Sequence, residues 1–285
     1  MNSARELTVD PFHLRFWGVR GSIPTPAQSQ LGIGGNTPCM QVFGEAGPAG
    51  SSEEILIFDA GSGIRALGRE IAASALTSRV THIFLTHFHW DHIQGLPYFL
   101  PLFSPEANLI FHSVHPPETL RAVLAAQMHS PYFPVQFDQV PAAMEFRTIG
   151  AEPEQFGPVT VEAFPLHHPQ GSSGYRIRHP RKTAVYATDH EHGDPETHNG
   201  LIAIAKDADV LVYDAQYTPE EYQTRQGWGH STWLEATRVA EAAGAKELVL
   251  FHHDPERTDR AVRHIEDEAR EKFPATRAGY EGLFL

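Results

Sequence analysis

Histidines and acids crowd one short stretch of this sequence, Thr81-His-Ile-Phe-Leu-Thr-His-Phe-His-Trp-Asp-His92. His87, His89, Asp91 and His92 directly follow an apolar run, 81–86, that reads as a strand. Alternate residues of an extended chain point the same way, so His87 and His89 can face one ion. Asp91 and His92 lie past the turn and can face a second. Neutral imidazole and carboxylate suit Zn²⁺, and also Mn²⁺ or iron. A polar loop that happens to be rich in histidine is the plain alternative, but such a density of ligands at the end of an apolar strand argues against it. Cys39 is the single cysteine. It excludes a thiolate site and an intramolecular disulfide, and fits a reducing compartment.

Donors of the same kind end other apolar runs. Asp59 follows Ile55-Leu-Ile-Phe58, the pair His167-His168 follows Leu166, Asp189 follows Tyr186-Ala-Thr188, and the pair His252-His253 follows Leu248-Val-Leu-Phe251. With the His-x-His-x-Asp-His spacing of residues 87–92, this series resembles the metallo-β-lactamase superfamily along nearly the whole chain. The resemblance implies two ions. One would be held by His87, His89, His168 and Asp189, the other by Asp91, His92, His252 and the bridging Asp189. It implies a supporting place for Asp59 below the metals. It favours His168 and His252 within the doubled pairs, leaving His167 and His253 as polar neighbours that orient ligands or fill the core. Two such ions, Zn²⁺ or Mn²⁺, would share a hydroxide of pKa near 7 and clamp an anionic oxygen. Having His89 rather than Glu argues for hydrolysis over redox chemistry, and having Asp189 rather than Cys argues against the antibiotic-hydrolysing branch.

Three further features resemble the branch that contains ribonuclease Z and cyclic-phosphate phosphodiesterases. The first is the glycine-rich start, Phe16-Trp-Gly-Val-Arg-Gly-Ser-Ile-Pro24 and Gly34-Gly-Asn-Thr37. It serves either backbone geometry alone or the substrate, with Arg20 suited to pairing a phosphate. The second is Gly229-His230-Ser-Thr232, where the family histidine helps protonate the leaving oxygen. The third is Asp214, at the place of that histidine's acidic partner, one methylene shorter than the usual Glu. Asp91, His230 and Asp214 are thus the expected catalytic residues, Asp91 also as a ligand. Glu191 and His192 follow the bridging Asp189 closely enough to tune the site, and Tyr132, Phe133 and Pro134 could stack a base or close a lid, or simply pack.

These residues need a frame. Strands are expected at 14–19, 39–44, 55–59, 81–86, 108–113, 144–149, 159–166, 174–178, 183–188, 210–214 and 247–251, and helices at 63–76, 118–128, 232–243 and 259–273. The pattern predicts an α/β fold, an αββα sandwich of two mixed sheets with outer helices, in a single domain over 1–285. Residues 97–147, rich in proline and aromatics, read either as a folded surface excursion or as a lid insertion. A net charge of −13 with no Lys/Arg block makes extended nucleic acid an unlikely partner. Only twenty residues separate His168 from Asp189, where ribonuclease Z carries a long arm for tRNA. A small phosphodiester, such as a cyclic nucleotide or cyclic ribose phosphate, is therefore the expected substrate. RNA 3′-end cleavage of the ribonuclease Z type is the alternative, and a non-catalytic metal- or nucleotide-binding module is a third reading. The N-terminus has no apolar leader and no run is long enough to span a membrane, which predicts a cytoplasmic protein. The resemblance further suggests a homodimer.

Overall fold

The computed structural model describes residues 12–44, 54–74, 76 and 79–285. The N-terminal stretch read above as lacking a leader lies largely outside these residues, as does part of the end of the first expected helix. Among the described residues, no helix is long and apolar enough to cross a membrane.

Two sheets form the centre. The first runs β1 (His13–Gly18), β2 (Cys39–Phe43), β3 (Glu54–Phe58), β4 (Val80–Phe84), β5 (Asn108–Ser113) and β6 (Ala143–Thr148), in that spatial order. The second runs from β7 (Glu154–Phe156) through β8 (Val159–Leu166), β9 (Ser172–His179), β10 (Lys182–Ala187), β11 (Val210–Asp214) and β12 (Leu248–Phe251) to β13 (Thr276–Ala278). Each sheet opens with antiparallel hairpins and continues parallel, β3 to β6 and β10 to β13. The helices are α1 (Ile64–Ala72), α2 (Trp90–Ile93), α3 (Pro117–Ala126), α4 (Pro195–Ile204), α5 (Pro219–Tyr222), α6 (Trp233–Ala243) and α7 (Asp259–Lys272).

The strands read as continuous apolar runs because both of their faces are covered. Along β3, Leu56 and Phe58 enter the core between the sheets, while Ile55 and Ile57 pack outward with Ile64 and Leu67 of α1 and Leu120 of α3. Along β11, Val210 and Val212 face the shared core, whereas Leu211 and Tyr213 face Ala236 and Val239 of α6 and Ile265 of α7. This period of two gives the helix–sheet–sheet–helix layers expected from the sequence. Thr232 caps α6 by accepting from the Glu235 amide, and Gly244 ends it with a φ of 66°, a conformation open to glycine.

The stretch 97–147 is woven into the first sheet and its covering helix. It supplies β5 and β6, which pair in parallel within the first sheet, and α3, which buries Leu120 and Leu124 against that sheet. β7, α4 and β13 are elements beyond those expected. α4 starts at Asp194-Pro195, where the Asp194 side chain accepts from the Thr197 amide.

Candidate metal centre

In the parallel parts of both sheets, the carboxyl ends of strands carry the polar residues, the usual place for a site in α/β folds. His87 follows β4, Asp189 follows β10 and His252 follows β12. β8 runs alongside β10 in the same direction, both being antiparallel to β9, so His168 leaves the sheet at the same edge as Asp189. His87, His89 and His168 offer ligand atoms within 4.8 Å of one another, and Asp91, His92, Asp189 and His252 form a second such group. Asp189 spans the two. Its Oδ1 is 3.7 Å from His87 Nε2 and 3.9 Å from His168 Nε2, while its Oδ2 is 3.1 Å from His92 Nε2 and 3.4 Å from His252 Nε2. One carboxylate oxygen thus faces each group.

The rings are aimed from behind. The Nδ1 atoms of His92, His168 and His252 each lie 2.8 Å from an acceptor, namely Asp59 Oδ2, the Gly229 carbonyl and Gln216 Oε1. Donating there leaves each Nε2 lone pair pointing inward, as a metal ligand requires. His89 is turned the other way, with Nε2 on Gln170 Oε1 at 3.0 Å and Nδ1 toward His168. Backbone strain marks the same spots. Asp59, Asp189 and His252 have φ values of 62°, 57° and 59°, left-handed conformations that non-glycine residues rarely adopt and that concentrate at functional sites. Gly21 must be glycine, since a Cβ there would lie 2.4 Å from the His252 ring. The next residue, Ser22, donates its amide to Asp91 Oδ2 at 2.8 Å.

Two observations fit this donor set to divalent cations. His87 Nε2 is buried and has no hydrogen-bond partner, and burial beside His92 holds that ring well below the usual imidazole range, so it is a neutral donor aimed into the cluster. His92 is driven the other way. Burial would lower it, but the carboxylates of Asp189, Asp59 and Asp91 raise it well above the ordinary value. Burial pushes Asp189 up, yet His252 and His92 hold it well below the usual carboxylate range. Such a concentration of carboxylate is what a bound cation neutralises.

A model of the β-lactamase superfamily domain matches residues 55–253, the span from β3 to the second of the paired histidines. The chain belongs to the metallo-β-lactamase superfamily. Curated relatives include the ribonuclease Z of Salinibacter ruber, 29% identical over 80% of this chain and 84% of that protein. The ribonuclease Z of Haloferax volcanii is 26% identical over 78% of this chain and 82% of that protein. Among solved structures, the metallo-β-lactamase fold protein YhfI from Bacillus subtilis covers 97% of this chain and 99% of its own, with a TM-score of 0.73 at 20% identity. Superfamily membership and the clustered donors make the chain a metal-dependent hydrolase with a dinuclear type of site.

Within this superfamily frame, His230 stands beside both donor groups. Its ring stacks on His252 at 4.8 Å, and its Nδ1 is 2.8 Å from Asp214 Oδ2. The shorter Asp therefore reaches the ring directly. Burial works against charge on His230, but the Asp214 charge and hydrogen bond raise it to about 9. Glu191 accepts from the amides of Gly227 and Gly229 and from the Tyr222 hydroxyl, so it pins the loop that carries His230 and does not join the cluster. His192 packs its ring on Tyr222, with its Nδ1 on Ser231 Oγ.

Of the doubled histidines, His168 and His252 fall in the clusters. His167 is exposed and bonds the Glu191 carbonyl through Nδ1. His253 is buried with Nε2 on the Gly279 carbonyl, and burial next to Arg20 lowers it to about 3. Arg20 does not serve as a phosphate partner. It is wholly buried, and its guanidinium is consumed by the carbonyls of Gly34, Arg257, Asp254 and Gln30 and by Asp259. It ties the glycine-rich start to the loop after β12, a role the sequence alone did not separate from phosphate binding. Gln216, Gln170 and the Gly229 carbonyl were not anticipated. A carbonyl leaves no trace in residue type, and Gln216 stands out only by its nearness to Asp214.

Proposed function

We propose that this hydrolase cleaves a phosphodiester and that His230 protonates the oxygen that departs. The observation that carries the reading is the 2.8 Å contact between His230 Nδ1 and Asp214 beside both donor groups. Asp214 accepts from Nδ1, keeps the ring charged and leaves the Nε2 proton to donate. An alkoxide leaving group has a high pKa and needs that proton, whereas a phenolate or carboxylate does not. Asp189 and Asp91, with His87, His89, His92, His168 and His252, are the residues proposed to hold two divalent ions, Zn²⁺ or Mn²⁺. Bound there, such ions would supply a hydroxide near neutral pH and neutralise charge on the phosphate oxygens.

The similarity to proteins named ribonuclease Z weights an RNA phosphodiester above the small cyclic phosphodiester expected from the sequence. One feature favours the small substrate as a second reading. β9 and β10 join between His179 and Lys182 in a tight hairpin, with no arm between His168 and Asp189. The test is purified protein, with Zn²⁺ and Mn²⁺ compared, against a precursor tRNA, a panel of cyclic nucleotides, bis-p-nitrophenyl phosphate and a lactone. Cleavage of precursor tRNA at its 3′ side with little turnover of cyclic nucleotides is the expected result. Turnover of cyclic nucleotides alone selects the second reading, and turnover of the lactone alone overturns the phosphodiester assignment.

A further inference from the structure

A cavity of about 750 Å³ lies on the flank of the turn that carries the metal-binding histidines. Its walls are aromatic. Phe88 and Trp90 come from the turn itself, between His87, His89 and Asp91, while Tyr98, Tyr132 and Phe133 come from the segment that follows. Trp90, Tyr98 and Tyr132 are all strongly exposed, an unusual use of large apolar surface unless something covers it. One polar residue in the wall is out of keeping. Gln127, 7% exposed, has neither its amide oxygen nor its amide nitrogen hydrogen-bonded. Buried amides in native proteins almost always find partners, and an orphaned one asks for a ligand. A second hollow adjoins this one through Pro97, Tyr98 and Phe133 and is lined by Arg65 and Arg69 of α1. Neither arginine has an ion-pair partner among the described residues, although the chain as a whole carries a net charge of −13.

We infer that this cavity is a base pocket for single-stranded RNA and that Gln127 selects adenine in it. The inference rests on the phosphodiesterase reading and adds the substrate's base and path. Flat aromatic walls stack any base, which gives affinity without choice. An amide that offers one donor and one acceptor complements the adenine edge, where an N6 amino group donates beside an accepting ring nitrogen. Guanine presents two acceptors on the corresponding edge. The two ends of the hollow both favour phosphate, the cation-binding turn at one side and the free arginines at the other. A base with phosphate on either side is a nucleotide within a strand, which favours a strand over a lone nucleotide. Two arginines beside one turn make a short cationic track, too short for a long duplex to gain from.

The test is binding, read apart from cleavage. Fluorescein-labelled phosphorothioate hexanucleotides of A and of U are titrated with the purified metal-loaded protein and followed by anisotropy, together with AMP as competitor. The A strand is expected to bind at least about tenfold tighter than the U strand. Gln127→Leu should retain metal content and melting temperature and bring the two affinities within about twofold. The Arg65→Ala/Arg69→Ala pair should weaken both strands alike and flatten the salt dependence. Equal affinity for both strands in the wild type, or a preference that survives in Gln127→Leu, would overturn the assignment. AMP competing as tightly as the strand would overturn its strand component. A Gln127-dependent preference in a protein that cleaves no phosphodiester supports the pocket and removes the proposed function. Cleavage with no base preference does the reverse.

Discussion

Asp59 and Asp214 occupy matching places in the two sheets. Each is fully buried at the carboxyl end of a parallel strand, β3 or β11, and each takes a histidine Nδ1 at 2.8 Å. Their remaining partners differ. Asp59 accepts from the Thr86 amide and hydroxyl and from the Tyr186 hydroxyl, groups fixed in the walls of the sandwich. Asp214 accepts from the amides of Asp189, Gln216 and Ser231, which belong to three separate loops. The first arrangement anchors His92, a proposed metal ligand, to the core. The second gathers loops and charges a ring, His230, that the superfamily ligand set does not need. The same pair of residue types therefore serves position in one sheet and, on our reading, proton delivery in the other.

The comparison breaks first at Asp59. Asp59→Ala leaves the donors of Thr86, Tyr186 and His92 facing a buried gap, at about 1–3 kcal/mol for each orphaned group. We expect a lower melting temperature and a loss of at least half of the bound metal, read by thermal denaturation and elemental analysis. Full metal content in that variant would remove the anchoring role.

His230→Ala should leave metal content and melting temperature near those of the wild type. It should cost roughly 10²–10⁴ in rate on an RNA phosphodiester and much less on a nitrophenyl ester, the range typical of a general acid. An equal loss on both substrates would make His230 a binding residue. Asp214→Asn should move the two substrates apart in the same direction but by less, because its one amide oxygen can still accept from the ring while its NH2 is left facing the Gln216 and Ser231 amides.

A smaller effect sharpens the contrast from the side of histidines that answer to each other. His82 and His112 meet in the first sheet, Nδ1 to Nε2, at 2.9 Å. Burial lowers them to about 4 and about 3; Arg147 acts in the same sense on both, the His82 charge further lowers His112, and Glu145 partly offsets the shift of His82. The unfolded chain binds protons on both rings near pH 6.5, the folded chain only near pH 3–4. Their contribution to stability is therefore complete above about pH 6.5 and is lost as pH falls toward 4, on the order of 1–2 kcal/mol per ring by pH 5. In urea titrations, replacing both by Phe should cost more at pH 8 than at pH 5. A pH-independent difference would contradict it.

Much of this was legible before any coordinates. His87, His89, Asp91 and His92 sit in one turn, and their spacing alone pointed to the two donor groups into which the fold divides them. The alternating burial of β3 and β11 follows from runs too apolar to face water. The choice within the paired histidines came from the resemblance and not from residue chemistry, because adjacent residues at a strand exit differ only in backbone conformation; in the second pair it is His252 that takes the left-handed turn. Arg20 misled for a related reason. A guanidinium suits carbonyls as well as phosphates, and only the position of Gly34 and Arg257 around it decides. α4 was missed because its polar start, Pro-Glu-Thr-His-Asn-Gly, lacks the apolar period that marks a helix.

Asp189, one oxygen toward each donor group, is proposed to join two cation sites. Elemental analysis of freshly purified wild type and Asp189→Ala, without chelators, tests it most directly. Close to two ions per chain in the wild type, with most of both lost from the variant, is the predicted result. A reproducible single ion per fully active chain, or a variant that keeps its metals, would contradict it.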